Sequence, residues 1–400
     1  MQTALAEALK HTPEGREADA ILRSCVHCGF CLATCPTYNL LGDELDSPRG
    51  RIYLIKQLAE GQPVSAKTQM HLDRCMTCMS CETTCPSGVR YGRLLEIGRH
   101  WAERKIRRNG WERFQRGLFR RLLPKPQWLK ALVWLGRMLK PVLPDSLRRA
   151  IPAKQTAGDW PPPVHERRML TLEGCAQAVF APRINAATAR VLDRLGISLV
   201  STAGCCGALS YHLEARQDAK AYIKNNIDAW WPQIAAGAEA IVMTASGCGA
   251  MVKEYGRLMR DVPDYADKAA RVSALAKDLS EILIQEDLRR LTPTSSSRKV
   301  AYHSPCSLQH GQKLPGIVEG LLRDLGFTLT PVGDAHLCCG SAGGPYAVLQ
   351  RELSQRALRD KLNHLEAGQP DVIATANMGC LLHLQSQAKV PVRHWVELFD

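Results

Sequence analysis

The sequence has no Gly-x-Gly-x-x-Gly fingerprint, no P-loop, no Ser–His–Asp set and no metalloprotease signature. It therefore carries no visible means of holding a nicotinamide or flavin nucleotide, and no flavin is expected on this chain. It also lacks an uncharged apolar run of about 18 residues, the length a membrane-spanning helix needs. The nearest stretch, "IAAGAEAIVMTASGCGAMV" from Ile234, carries Glu239 and three glycines, and reads as a buried strand with flanking turns. The N-terminus has no basic start followed by an apolar core, so no secretory signal is visible and a reducing cytoplasm is the expected setting.

Against these absences stand sixteen cysteines in 400 residues. In a reducing compartment they are expected to serve metal or redox chemistry as thiolates, not to form disulfides. Eight of them form two copies of one run, C-x2-C-x2-C-x3-C-P, as "CVHCGFCLATCP" from Cys25 and "CMTCMSCETTCP" from Cys75. Three cysteines at this spacing let one loop cover three corners of a 4Fe–4S cubane, and the fourth ligates the partner cluster. Two clusters are thus expected, one on Cys25, Cys28, Cys31 and Cys85, the other on Cys75, Cys78, Cys81 and Cys35. Pro36 and Pro86 turn the chain away after the last cysteine. Structural zinc knuckles share the C-x2-C spacing but have no use for the longer series. His27 is expected beside the sulfurs as a hydrogen-bonding neighbour rather than as a ligand.

Between the runs, "DSPRGRIYLIKQLAEG" predicts a helix with Ser47 as N-cap and Pro48 at its first position. After them comes a basic stretch. Residues 101–150 hold fourteen lysines and arginines against three acidic residues, nearly all of the chain's +13 formal net charge. Trp111, Phe114, Leu118 and Leu122 share a helical face, with Arg113, Arg116, Arg120 and Arg121 mostly off it; Trp128, Leu132, Leu135 and Leu139 repeat the pattern. Basic amphipathic helices edged with aromatics suit an anionic membrane surface. An acidic partner subunit, or packing on the protein's own core, would use the same pattern. Nucleic acid is not an expected partner, because the rest of the chain is nearly neutral.

The other eight cysteines also repeat. Cys175, the pair Cys205–Cys206 in "GCCG" and Cys248 are matched by Cys306, Cys338–Cys339 in "LCCG" and Cys380. Each copy reads as helix, apolar strand, CCG turn, amphipathic helix, apolar strand and cysteine, which predicts a parallel α/β lobe with cysteines at strand ends. Gly207 and Gly340 would allow a tight turn and a close backbone approach to a bound group. The eight thiols could hold further iron–sulfur centres or zinc, or stand reduced and empty. His303, His310 and His336 are expected beside them rather than as ligands.

These residues resemble the cysteine-rich CCG domain of the heterodisulfide reductases. With the twin ferredoxin run, and phrases such as "SPRGRI" and "LCCGSAGG", the whole layout resembles the family of glycolate oxidase (glycolate dehydrogenase) iron–sulfur subunits. The resemblance implies an α+β multi-domain chain. An α-helical dicluster ferredoxin domain (1–100) would be followed by a basic helical segment and linker (101–165). Two repeated α/β cysteine-rich lobes (166–292 and 293–400) would complete it. One departure is that the family pattern closes each lobe with C-x2-C, whereas Ala245 and Asn377 stand in the penultimate place here. The resemblance further implies an electron-transfer subunit beside an FAD-containing dehydrogenase subunit, with quinone as acceptor at the cytoplasmic face of the inner membrane. Subunits serving glycerol 3-phosphate or lactate share the layout. A thiol/disulfide reductase of heterodisulfide reductase type, or a zinc-loaded structural protein, are the alternatives of other character.

Overall fold

The computed structural model describes residues 1–140, 155–291 and 298–400. The end of the basic stretch, residues 141–152, and the expected lobe boundary at 292–293 lie outside the described residues.

The N-terminal domain is helical, and its helices begin where the sequence caps them. Thr12 accepts from the Gly15 N–H ahead of helix Pro13–Ser24, and Ser47 accepts from the Gly50 N–H ahead of helix Pro48–Ala59. Ile52, Ile55 and Leu58 of the latter pack on Leu94, Leu95 and Ile97 of helix Tyr91–Lys105 in one buried core. The crossing is close because Gly98 faces Ile55, where an added Cβ would stand 2.5 Å from the isoleucine side chain.

Each lobe is a four-stranded, all-parallel sheet. In the first, β1 (Arg167–Leu172), β2 (Ile197–Thr202), β3 (Ile241–Met243) and β4 (Ala276–Asp278) lie in the order β2-β1-β3-β4. In the second, β5 (Lys299–His303), β6 (Thr328–Leu329), β7 (Val372–Thr375) and β8 (Val392–His394) lie in the order β6-β5-β7-β8. The strand read from "IVMTA" is three residues long and is followed by a helix, Ser246–Lys253, rather than by a turn alone. β1 and β5, central in each sheet, were not anticipated, nor were β4 and β8. The two lobes share a core in which Trp395 and Phe399 of the second meet Ile184, Val191 and Leu192 of the first. His394 clasps them: one ring nitrogen meets the Thr244 carbonyl at 2.9 Å and the other accepts from the Val396 N–H at 3.3 Å. Burial pushes this imidazole down to about 3, which keeps it neutral.

Candidate metal centres

The two cysteine runs fold into the same loop. A left-handed residue sits on each side of the middle cysteine, His27 (φ 57°) and Gly29 (φ 87°) in one run, Thr77 (φ 53°) and Met79 (φ 59°) in the other. This conformation turns the chain back so that all three cysteines of a run face one hollow, and it aims backbone N–H groups at sulfur. Thr77 N–H donates to Cys75 Sγ at 3.4 Å.

The first hollow is lined by Cys25, Cys28 and Cys31 of the first run and by Cys81 and Cys85 of the second. The second is lined by Cys75, Cys78 and Cys81 with Cys35, so Cys81 borders both. Each hollow thus takes three cysteines from one run and meets the other run's last cysteine, Cys85 at the first and Cys35 at the second. Clustered soft thiolates, with N–H groups turned inward, fit an iron–sulfur cluster. Burial pushes the Cys31 thiol up to about 11 and raises Cys25, Cys78 and Cys81 as well.

"SPRGRI" serves both hollows. Pro48 lines both, Arg49 and Ile52 the first, and Arg51 the second. Arg51 is 0% exposed, as is Asp46. Its guanidinium donates to Asp46 Oδ1 (3.2 Å), Thr37 Oγ1 (3.0 Å) and the His71 carbonyl (2.7 Å), and Arg74 reaches Asp46 Oδ2 at 2.8 Å. Thr37 Oγ1 in turn lies 3.3 Å from Cys35 Sγ. A fixed cation thus stands behind one cluster site, a role that the sequence did not show. Asp43, Asp46 and His71 converge within reach of a common ion, but Asp46 is already engaged by two guanidiniums. His27 bonds the Met1 thioether at 3.0 Å through its ring, and only its backbone N–H serves Cys25.

The hollows differ in their surroundings. Cys28 is exposed at a loop tip flanked by Val26 (67% exposed) and Phe30 (65%). Cys78, in contrast, is buried with Met76 against Cys338, Tyr346, Leu353 and Ala357 of the second lobe. Tyr346 OH donates to the Arg74 carbonyl at 2.7 Å, and Thr83 Oγ1 lies 2.8 Å from His310 Nδ1 across the same joint. The first lobe meets the domain elsewhere, where Tyr211 OH donates to Glu96 at 3.0 Å and Arg216 pairs with Glu14.

Within the lobes the CCG turn brings the thiols together. Cys306 and Cys338 have their sulfurs 4.0 Å apart, and Asn377, in the place of the missing cysteine, donates to Cys380 Sγ at 3.4 Å. In the first lobe Cys175 interacts with Cys205, and Cys206 with Cys248. Cys248 and Cys380 lie in the first turn of helices Ser246–Lys253 and Met378–Gln385, not in a loop. Gly207 and Gly340 both have φ +86°, but the close approach they permit is to helices Arg216–Ala235 and Arg351–Glu366. A Cβ would stand 3.2 Å from the Ala219 carbonyl at Gly207 and 2.5 Å from the Ser354 carbonyl at Gly340. Gly207→Ala should therefore cost about 1–2 kcal/mol for the left-handed backbone alone, and Gly340→Ala distinctly more. Thermal unfolding of the two variants checks this, and equal losses would show that the Ser354 turn yields.

The basic helices Gly110–Leu122 and Pro126–Leu139 present most of the apolar residues of their expected faces outward, although Leu122 is half-buried and Leu129 is buried. Trp111, Phe114, Leu118, Trp128, Leu132, Leu135 and Leu139 are all exposed. Arg116 departs from the expected basic face, since it pairs inward with Asp73 (3.3 Å) and Glu112 (3.1 Å), beside Arg108 on the same acids. No helix among the described residues is long and apolar enough to cross a membrane.

A helical domain with two cysteine-lined hollows, joined to two parallel cysteine-rich lobes, defines an iron–sulfur protein of the dicluster-ferredoxin and CCG type. Comparison with known families agrees: residues 21–89 match the 4Fe-4S dicluster domain, and residues 169–253 and 300–385 each match the cysteine-rich domain. Over 403 aligned residues, covering 100% of this chain and 98% of the relative, it is 56% identical to the glycolate oxidase iron-sulfur subunit of Escherichia coli. It is 31% identical to the probable glycolate oxidase iron-sulfur subunit of Bacillus subtilis, with 91% of this chain and 88% of the relative covered. Lactate utilization protein A of Geobacillus thermodenitrificans is 30% identical over 52% of this chain and 87% of its own length. The chain belongs to the family of glycolate oxidase iron–sulfur subunits, components of an oxidoreductase complex.

Proposed function

We propose that the protein is the electron-transfer subunit of a membrane-associated glycolate dehydrogenase, standing between an FAD-containing partner subunit and quinone. The carrying observation is the pair of cysteine-lined hollows, one open at the Cys28 tip and one closed against the second lobe. Cys25, Cys28, Cys31 and Cys85 would hold one 4Fe–4S cluster, and Cys75, Cys78, Cys81 and Cys35 the other. When bound, such clusters supply one-electron transfer, which a two-electron oxidation of a hydroxy acid needs beyond its flavin. The chain's own residues orient and shield these sites: Pro48 and Tyr91 border both hollows, and Arg51 sets a buried positive charge behind the second. The exposed Val26 and Phe30 would be the landing place of the flavoprotein. About eight irons and eight acid-labile sulfides per chain, with two interacting cubane signals in EPR after reduction, are expected. Colourless protein with zinc alone would end this reading.

The outward apolar faces of Gly110–Leu122 and Pro126–Leu139, on helices and a joint that also expose Arg113, Arg121, Lys125 and Lys130, support docking on the anionic cytoplasmic face of the inner membrane. Replacing Trp128, Leu132 and Leu135 together by serine is expected to weaken binding to anionic vesicles more than tenfold, since each buried side chain contributes about 1.5–3 kcal/mol. Unchanged flotation with the vesicles would assign this face to a partner subunit instead.

A further inference from the structure

We propose that Arg51 sets the direction of electron flow within the helical domain. Its buried charge holds up the reduction potential of the cluster on Cys75, Cys78, Cys81 and Cys35, so that an electron taken in at the exposed Cys28 site passes inward. The inference rests on the two clusters of the proposed function. One electron moves, lost at the first site and gained at the second, with no bond made or broken.

Reduction adds a negative charge to a cluster that its thiolates already make anionic, so a fixed cation nearby favours the reduced form. How strongly depends on water. The second site is dry: Cys78 and Met76 are buried against the second lobe, and Arg51 and Asp46 are both 0% exposed. Burial by itself opposes reduction there, because it raises the cost of the added charge. The same dryness leaves the guanidinium charge unscreened.

Arg51 is placed for this and held in place. It lines the second hollow, and Tyr91, Cys75 and Cys35 are among the groups its charge faces. Its three hydrogen bonds, to the Asp46 carboxylate, the Thr37 hydroxyl and the His71 carbonyl, fix the plane of the guanidinium. Asp46 does not cancel it, since the same carboxylate also takes Arg74 at 2.8 Å. Two guanidiniums on one carboxylate leave positive charge in excess. Two further donors act in the same direction. Tyr91 OH donates to Cys75 Sγ at 3.6 Å, and Arg99 donates to the Cys75 carbonyl at 2.9 Å. A donor on a ligand sulfur and a cation on its residue both favour the reduced form.

The first site is served differently. Among the described residues lining its hollow, the only lysine or arginine is Arg49. Arg49 pairs with Glu44 at 2.8 Å, and the two side chains are 32% and 44% exposed. A carboxylate and water together cancel most of such a charge. The Met1 ammonium, which donates to the Cys25 carbonyl at 2.9 Å, is half-buried rather than dry. Arg49 and Arg51 are two residues apart on helix Pro48–Ala59, hence about 200° apart around its axis, and so face different hollows.

The test is a redox titration of full-length protein purified anaerobically, followed by low-temperature EPR, with iron and sulfide counted on every sample. Cys78→Ser lacks the second cluster and identifies the signal of the first. In the wild type the second signal is expected no later than the first as the potential is lowered. Arg51→Met should lower the reduction equilibrium of the second cluster at least tenfold, about 59 mV for one electron, and leave the first where it was. Arg51→Lys, which keeps the charge, should recover most of that shift. Asp46→Asn removes the counter-charge but keeps an oxygen for the arginines, and should shift the second cluster the other way, to easier reduction. A merely structural role would not produce shifts of opposite sign. A second cluster reduced only after the first in the wild type, no shift in Arg51→Met, equal shifts of both clusters, or a lysine variant as low as the methionine one would each overturn the proposal. Should Arg51→Met not assemble the second cluster, Asp46→Asn decides, and an unchanged or lowered equilibrium there overturns it too. Wild-type protein without two cubane signals would end the electron-transfer reading along with this inference, whereas the other contrary results would end this inference alone.

Discussion

Cys78→Ser is expected to remove about four irons per chain and one cubane EPR signal and, on the proposed function, to stop electron flow to quinone. Cys28→Ser should remove the same number of irons from the other site. The two should differ in what else is lost. Cys28 sits at an exposed loop tip, so serine there keeps its hydration and the domain keeps its stability. Cys78 is buried among Met76, Cys338 and Tyr346, and a serine hydroxyl in that joint leaves a polar group without water. Such a group costs about 1–3 kcal/mol when unsatisfied, so Cys78→Ser should also loosen the second lobe from the domain. Iron and sulfide analysis, EPR and limited proteolysis across the joint check this together. Equal proteolytic resistance in the two variants would show that the lobe is held independently of this site.

Asp46→Ala is expected to destabilise the N-terminal domain by about 3–5 kcal/mol, the range for removing one partner of a buried ion pair. Asp46 takes Arg51 and Arg74 on separate oxygens and stands 3.1 Å from His71 Nδ1, all with no exposure of its own. Its loss leaves the Arg51 guanidinium fully buried, with only the Thr37 hydroxyl and the His71 carbonyl as acceptors. Arg51→Met removes the charge together with its need for a counter-charge, and should cost less than Asp46→Ala. Denaturant unfolding of the apo-protein separates this from cluster loss. A cost below about 1 kcal/mol for Asp46→Ala would mean that water reaches the guanidinium.

The twin runs were legible because each ligand loop is local: twelve consecutive residues contain the cysteines, the turn positions and the terminal proline. The helix after Ser47 was legible for the same reason, since its cap and first turn are neighbours in sequence. β3 and β7 showed as short apolar runs. β1, "RRMLTL", begins with two arginines and contains the buried Thr171, whose hydroxyl is satisfied only by the Val242 carbonyl of a strand far along the chain. β4 and β8, "AKD" and "VRH", are too short and too polar to signal burial by themselves.

The sequence by itself determined the family, the eight cysteines of the ferredoxin domain, the duplication of the lobes and the amphipathic pattern of the basic helices. Tertiary structure alone decided which face those helices leave uncovered, which hollow the second lobe seals, and that Arg116 turns inward to Asp73. It alone brought His303, Cys339 and Cys380 together, where sequence placed the histidine merely nearby. The reason is sequence separation. Spacing encodes a loop that closes on itself, whereas contacts between residues tens or hundreds of positions apart depend on strand register and lobe packing, and no local pattern carries those.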